Sequence, residues 1–406
     1  MKKIRPIIFF TQLYYPDLST TSVIMTDLAE DLASFGMDVS VICSQPTYSN
    51  KHKCPKSEKK GGVKIERIIG FTFNKDKNVG RILNGFSCYI SMLVKLLRMK
   101  QKGFIIFNTN PALLPLLGFF AKKLKALHYL VLIHDLWPEL PANIGVIKKN
   151  GILYKLLDYL NILAFEHADA IVVLSNAMKE RICARLPDKE KLIYIIPNWA
   201  DPKKIYPVPR EKNRLLEEFD LDGNKIVMYS GNLGRYQPLE VIIDAAYELR
   251  YRADILFLIA GFGWKKAKLQ EYAKALNLKN IKFLSFQPLE RLAESLSIAD
   301  ISLIGFFPEN EGVIMPSKLY SLLAIAKPII SISSQESEVV EILKEAKAGI
   351  HSSLYDPKEL AAKIESLLDD QRRLSEMGSN ARTHFLNNFQ RSIITKKWQC
   401  LLEQLI

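Results

Sequence analysis

Cysteine is scarce and scattered in this chain. Its 406 residues hold five, Cys43, Cys54, Cys88, Cys183 and Cys400. The number is odd and no two stand in a CxxC pair, which argues against a disulfide framework or a zinc site and leaves reduced thiols in the cytoplasm as the plain expectation. Long apolar runs are missing too. The opening MKKIRPIIFFTQLYYP has a basic start, but its apolar run is only strand length and no small-residue cleavage site follows, so it reads as a first strand rather than a signal peptide. Segment 81–102 is too short and too charged to span a bilayer. No RNP motif, zinc finger or aromatic–basic stripe occurs, and nucleic acid is not an expected partner. Acid is outnumbered by base, 43 Asp and Glu against 56 Lys and Arg, for a formal net charge of +13. That excess calls for an anionic partner, either a membrane face or a phosphorylated substrate. With 48% hydrophobic and 24% charged residues the chain is globular, and its length suits two domains.

What is there is a repeated order of strand, polar loop and helix. Apolar strand-length runs stand at 7–11, 38–43, 104–107, 129–133, 171–174 and 193–196, then again at 226–229, 255–260, 281–284, 299–303 and 329–332. Buried runs alternating with helical periods predict parallel sheets in two Rossmann-like, doubly wound α/β domains. The proline-rich stretch 202–209 reads as the linker, with a first domain over 1–200 and a second from 201.

Segment 308–333, PENEGVIMPSKLYSLLAIAKPIISIS, reads as the centre of the molecule. Pro316 suits a first helical position, Ser317 offers a hydroxyl where the helix begins, and Leu319, Leu322, Leu323 and Ala326 recur at helical spacing. Free N–H groups, the positive helix end and Lys318 together make an anion site, for which a diphosphate is the usual occupant. A capped helix in an ordinary αβ unit is the alternative on spacing alone. A second phosphate-type loop is Ser230-Gly231-Asn232-Leu233-Gly234-Arg235, where glycines let backbone N–H groups approach and Arg235 adds a planar charge. Gly261 ends another strand, and Phe286 follows the next. In the first half, His134-Asp135 stands just after a strand, where such sheets bind ligands. The histidine is then a general base, a metal ligand or a substrate anchor. Asn110 ends the preceding strand, and the loop 14–21 with Asp17, Ser19, Thr20 and Thr21 ends the first. A lysine run (Lys51, Lys53, Lys56, Lys59, Lys60, Lys64) reads as a solvated loop. Segments 81–102 and 113–127 are apolar and basic, and suit either core helices or an anionic membrane interface.

The strings HDLWPE (134–139), PNWAD (197–201), SGNLGR (230–235) and PSKLY through KPII (316–330) resemble the retaining glycosyltransferases of family 4 with the GT-B fold. The likeness is greatest to the bacterial branch that builds O-antigen, capsule and colanic acid, and it covers nearly the whole chain. It implies two Rossmann-like domains facing a central cleft, with the second over 201–385 and a C-terminal segment, 386–406, crossing back to the first. It also implies transfer of a sugar from a nucleotide diphosphate sugar, UDP favoured, to a polyprenyl-diphosphate-linked glycan at the inner face of the cytoplasmic membrane. By the same likeness His134, Arg235, Lys318 and Glu311 are catalytic. Gly231, Asn232, Gly234, Gly261, Phe286, Pro316, Ser317 and Leu319 hold the donor. Asp17, Ser19, Thr20, Thr21, Asp135 and Asn110 lie on the acceptor side. No cofactor is implied, and no DxD signature accompanies these loops, so no metal is expected to stabilise the leaving group. The chain departs from the family pattern at three points. The usual second Glu falls on Leu319 or Ser321, a usual Lys falls on Gln237, and Thr20-Thr21 replace a glycine pair. Two other readings fit the fold: a UDP-sugar 2-epimerase, which needs further acid–base carboxylates, and a non-catalytic nucleotide-sugar-binding subunit.

Overall fold

The computed structural model describes residues 5–46, 54–68, 78–100 and 102–406, the side chains of 78–82 excepted. Thr47, Tyr48, Lys51, Lys53 and the side chain of Arg81 lie outside the described residues. The chain forms two compact units. Unit 1 comprises Met1–Asn198, Gly312–Met315 and Ile394–Ile406; unit 2 comprises Trp199–Glu311 and Pro316–Ile393.

Unit 1 is built on strands β1 (Ile7–Phe10), β2 (Val39–Cys43), β3 (Ser57–Lys60), β4 (Val63–Arg67), β5 (Phe104–Asn108), β6 (His128–Leu132), β7 (Ala170–Val173) and β8 (Ile193–Ile195). They lie in the order β3-β4-β2-β1-β5-β6-β7-β8, and every pair is parallel except the β3–β4 hairpin. All residues of β1 and β5 are buried, as the apolar runs IIFF and FIIFN require of strands covered on both faces. The helices are α1 (Thr20–Ser34), α2 (Asn78–Arg98), α3 (Leu116–Lys125), α4 (Glu139–Asn143), α5 (Ile152–Glu166) and α6 (Asn176–Cys183). Chain travel reverses between β1 and β5, and the loops that follow these two strands flank that switch point, where a ligand crevice forms.

Unit 2 holds β9 (Lys225–Ser230), β10 (Ile255–Ala260), β11 (Ile281–Leu284), β12 (Ile301–Gly305), β13 (Ile329–Ile332) and β14 (Gly349–Ser352), in the all-parallel order β11-β10-β9-β12-β13-β14. Its switch point is at β9 and β12. Helices α7 (Arg214–Glu218), α8 (Glu240–Glu248), α9 (Lys266–Ala275), α10 (Leu292–Ser297), α11 (Lys318–Ala324), α12 (Glu338–Glu345), α13 (Pro357–Leu368) and α14 (Gln371–Asn388) complete it, and α15 (Arg391–Leu405) runs on into unit 1. In unit 1 the last helix buries Ile394, Trp398, Leu401 and Leu402.

Three expectations change. Half of the lysine run is strand rather than loop: Lys59, Lys60 and Lys64 are part of the β3–β4 hairpin, whose alternation buries Val63, Ile65 and Arg67 while Lys64 stays exposed. Helix α1 begins at Thr20, because the Ser19 hydroxyl accepts the Ser22 N–H at 3.2 Å and caps it there. Thr20 and Thr21 are therefore first-turn helical residues. Helix α11 begins at Lys318, so Pro316 precedes it, and the Ser317 side chain makes no capping bond.

Candidate active site

In unit 2 the loops named from sequence gather at the carboxyl ends of four neighbouring strands, β11, β10, β9 and β12. Backbones approach very closely here. A Cβ on Gly261 (φ +149°) would stand 1.9 Å from the Gly231 carbonyl oxygen, and one on Gly231 (φ +142°) would stand 2.7 Å from Lys318 Nζ. Only glycine fits either position.

Three N–H groups of the 230–236 loop are engaged within the protein. Gly231 N–H donates to Ala260 O at 2.9 Å, Leu233 N–H to Phe262 O at 2.8 Å and Gly234 N–H to Gln237 Oε1 at 3.2 Å. The loop continues the β9–β10 ladder past the strand ends, and Gln237 closes its turn. Cationic side chains also stand at this loop. Lys318 Nζ is buried without a hydrogen-bond partner and lies 3.7 Å over the centroid of the Tyr229 ring. Burial lowers its pKa from 10.5 to about 7. An ammonium has three donors, and leaving them unmatched is costly, so this group is arranged for an acceptor. Arg235 is exposed, with its guanidinium 4.4 Å over the Trp264 ring, and Lys268 approaches the same ring at 4.6 Å. Lys265 bonds Gln237 O and Glu240 Oε2, both at 2.8 Å, and Lys266 bonds the carbonyls of Gly261 and Leu284. These two lysines hold the loops in place.

Phe286 is 43% exposed and meets the exposed Phe262 edge-to-face at 5.8 Å. Asn232 is exposed, and its carbonyl accepts the Tyr229 hydroxyl at 3.1 Å. Glu311 Oε1 accepts the N–H of Glu338 at 3.1 Å and thus caps α12, a stabilising place for a carboxylate. Leu319 is fully buried and packs in the core; Ser321 is half-buried. An Asp-x-Asp triplet does occur, Asp220-Leu221-Asp222, but it forms the turn before β9, at the opposite end of that strand from the loops above. Among the described residues no group of three His, Cys, Asp or Glu side chains could hold a metal.

In unit 1 the named residues follow β1, β5 and β6, three neighbouring strands. The Asn110 carbonyl accepts Gln12 N–H at 3.1 Å, which ties the β5 loop to the β1 loop. Asp17 is buried at 4% exposure, within the β1 loop. His134 is 8% exposed, and its Nε2 has no hydrogen-bond partner. Desolvation lowers its pKa to about 4, so the imidazole is neutral at pH 7. Desolvation also raises Asp135 to about 6. Leu136 N–H donates to Val313 O at 2.9 Å, and Asp135 and Ile314 form an antiparallel bridge, so segment Gly312–Met315 is fastened to the His134 loop.

Sequence reasoning missed three supports. Thr109 Oγ1 accepts the N–H groups of both His134 (3.1 Å) and Asp135 (3.3 Å). Glu139 of the HDLWPE string is buried against Arg185, which also pairs with Asp158 at 3.2 Å. Arg67, with its side chain fully buried, bonds Tyr15 O at 2.9 Å and Pro55 O at 3.1 Å and pairs with Glu58 at 2.6 Å, fixing the β1 loop. The parity of Val63, Ile65 and Arg67 carried the signal for the last.

Comparison with known proteins agrees with this arrangement. Residues 21–204 match Glycosyltransferase Family 4, and residues 211–384 match Glycosyl transferases group 1. The chain thus carries a glycosyltransferase family 4 domain followed by a glycosyl transferases group 1 domain. WbjE of Pseudomonas aeruginosa, described as a probable glycosyltransferase, is 27% identical over 82% of this chain and 82% of its own. WcaI of Escherichia coli K12, described as a colanic acid biosynthesis glycosyl transferase, is 25% identical over 81% of this chain and 83% of its own. HepE of Anabaena, solved in complex with UDP-glucose, superposes with a TM-score of 0.74 at 16% identity, covering 98% of this chain and 100% of HepE. The fold is GT-B: two Rossmann-like units, each on a parallel sheet.

Proposed function

We propose that this glycosyltransferase moves a sugar, a hexosyl or N-acetylhexosaminyl group, from a UDP-sugar to a polyprenyl-diphosphate-linked glycan during synthesis of a bacterial surface polysaccharide such as O-antigen or capsule. The buried, unpartnered ammonium of Lys318 beside Gly231 carries the reading, because it suits the β-phosphate of a nucleotide diphosphate. The name of WcaI supports the pathway, and the UDP-glucose bound by HepE supports the donor.

Transfer proceeds with retention and without a metal or cofactor. Lys318 and Arg235 stabilise the charge that develops on the leaving diphosphate. Arg235 leaves the Trp264 face to do so. The Phe262–Phe286 pair offers an apolar wall to the nucleobase. Neutral His134 uses its free Nε2 for one hydrogen bond to a sugar hydroxyl, and a donor phosphate oxygen takes the acceptor's proton. The acceptor lies along the loops that carry Asp17, Ser19, Thr20, Thr21, Asn110 and Asp135.

The enzyme works on the inner face of the cytoplasmic membrane. No described helix is long and apolar enough to cross a membrane. Helix α2 packs Asn84, Cys88, Met92 and Leu96 inward and exposes Leu83, Phe86, Ile90, Val94 and Leu97 on its other side. Such a face, with Arg98 and Lys100 at its end, suits an anionic lipid surface. The experiment is turnover of UDP-sugars with polyprenyl-diphosphate glycans, read as UDP release and as product anomer. Transfer that needs the lipid-linked acceptor is the expected result. Isomer formation without acceptor would make the protein an epimerase, and binding without turnover a non-catalytic subunit.

A further inference from the structure

Lys318 is held by one neighbour that no motif names. Tyr229, on the last turn-side residues of β9, is 1% exposed. Its ring face lies under the Lys318 ammonium at 3.7 Å, and its hydroxyl donates to Asn232 O at 3.1 Å. One side chain thus touches both parts of the cradle, the cation from α11 and the loop that follows β9. We infer that Tyr229 is a positioning residue for the donor site, whose ring holds the Lys318 ammonium beside Gly231 with no carboxylate or carbonyl on its N–H groups, so that a phosphate can take them. The inference rests on the proposal that a nucleotide diphosphate binds here.

The physical case is that a ring face attracts a cation without occupying its donors directionally as a carboxylate would. A carboxylate partner would hold the ammonium more strongly, but it would repel the incoming phosphate and have to be displaced by it. Four charged side chains of the neighbouring loops have partners of their own. Arg235 lies over Trp264, Lys265 is on Glu240, Lys266 is on two carbonyls and Glu311 is on the Glu338 N–H. None of these bonds is to Lys318, and burial is the cause of its lowered pKa. Removing the ring would favour the neutral amine further, so the Lys318 charge would be lost at a lower pH.

The test uses the full chain and UDP as the probe, measured by titration calorimetry from pH 6.5 to 9.5. Tyr229→Phe keeps the ring and is expected to hold UDP within about threefold of wild type, with the same alkaline limit. Tyr229→Leu is expected to weaken binding about tenfold and to bring the alkaline limit down by about one pH unit. Because Tyr229 is a core residue, a second series guards against misfolding. Phenylalanine with one, three and five ring fluorines at position 229 keeps the shape and progressively weakens the negative ring face. UDP affinity should fall stepwise along it. Equal affinity across the fluorinated series, or a folded Tyr229→Leu with wild-type affinity and alkaline limit, overturns the inference. Lys318→Met separates the two levels of the argument. If it loses UDP while the Tyr229 variants do not, only the positioning role fails; if UDP does not bind wild type, or binds Lys318→Met equally well, the donor reading fails with it.

Discussion

Replacing Lys318 by methionine is expected to stabilise the free protein and to abolish its response to nucleotide. The fall of the ammonium's pKa from 10.5 to about 7 means that burial costs its charged form about 5 kcal/mol in neutral and acidic solution. Methionine fills a similar stem volume without the charge. The sign follows from linkage. The native pKa lies below the unfolded one, so the unfolded chain binds more protons between pH 7 and 10.5, and wild-type stability rises with pH through that window. The advantage of Lys318→Met is therefore full at pH 6.5 and almost gone by pH 10. For a unit of this size 1 kcal/mol is about 2–4 °C in Tm, so the variant should melt roughly 10–20 °C higher at pH 6.5. Calorimetric scans of both proteins at both pH values, with and without UDP, check each part. UDP should raise the wild-type Tm at pH 6.5 and leave the variant unmoved, since only a ligand of the native state adds stability. A variant that melts at or below wild type at both pH values and still responds to UDP would refute the reasoning.

Gly261→Ala places a Cβ within 1.9 Å of the Gly231 carbonyl at a φ of +149°; loss of UDP binding and a stability cost of about 3 kcal/mol or more are expected, read by titration and denaturant melts. Arg67→Met leaves Glu58 and two carbonyls without their buried partner, for an expected loss of about 3–5 kcal/mol and increased proteolysis of the β1 loop. His134 and Asp135 oppose each other in acid. The histidine, lowered to about 4, makes stability fall as pH drops through 6, and the aspartate, raised to about 6, makes it rise over the same window. Each contributes up to about 3 kcal/mol and the two nearly cancel, so His134→Gln should gain and Asp135→Asn should lose stability between pH 6 and pH 4, measured by chemical unfolding.

Much of the fold was legible because buried parallel strands are apolar runs that little else imitates: IIFF, FIIFN and ILFLIA each became a strand at the place expected. The β3–β4 hairpin was not, because its inward Val63, Ile65 and Arg67 are interleaved with lysines and one of the inward residues is itself charged. Loop positions at the strand ends were legible for the same reason the strands were. The use of their polar atoms was not. Whether a glycine N–H faces a ligand or a neighbouring carbonyl depends on whether the ladder continues past the strand end, and Gly231 and Leu233 continue it. Glu311, named catalytic from the family likeness, also caps a helix that begins 27 residues later, a contact that local spacing does not encode. Thr109 and Tyr229 support the site through partners distant in sequence or through a ring face, and no local spacing encodes such contacts.

The central claim is that unit 2 holds a nucleotide diphosphate sugar through Lys318. Titration of UDP, GDP and ADP into the wild-type protein and into Lys318→Met at pH 7 tests it most directly. The account predicts that UDP binds the wild type in preference to the other two and that the variant loses at least tenfold in affinity. No binding of any of the three, or equal UDP affinity in wild type and Lys318→Met, would contradict it.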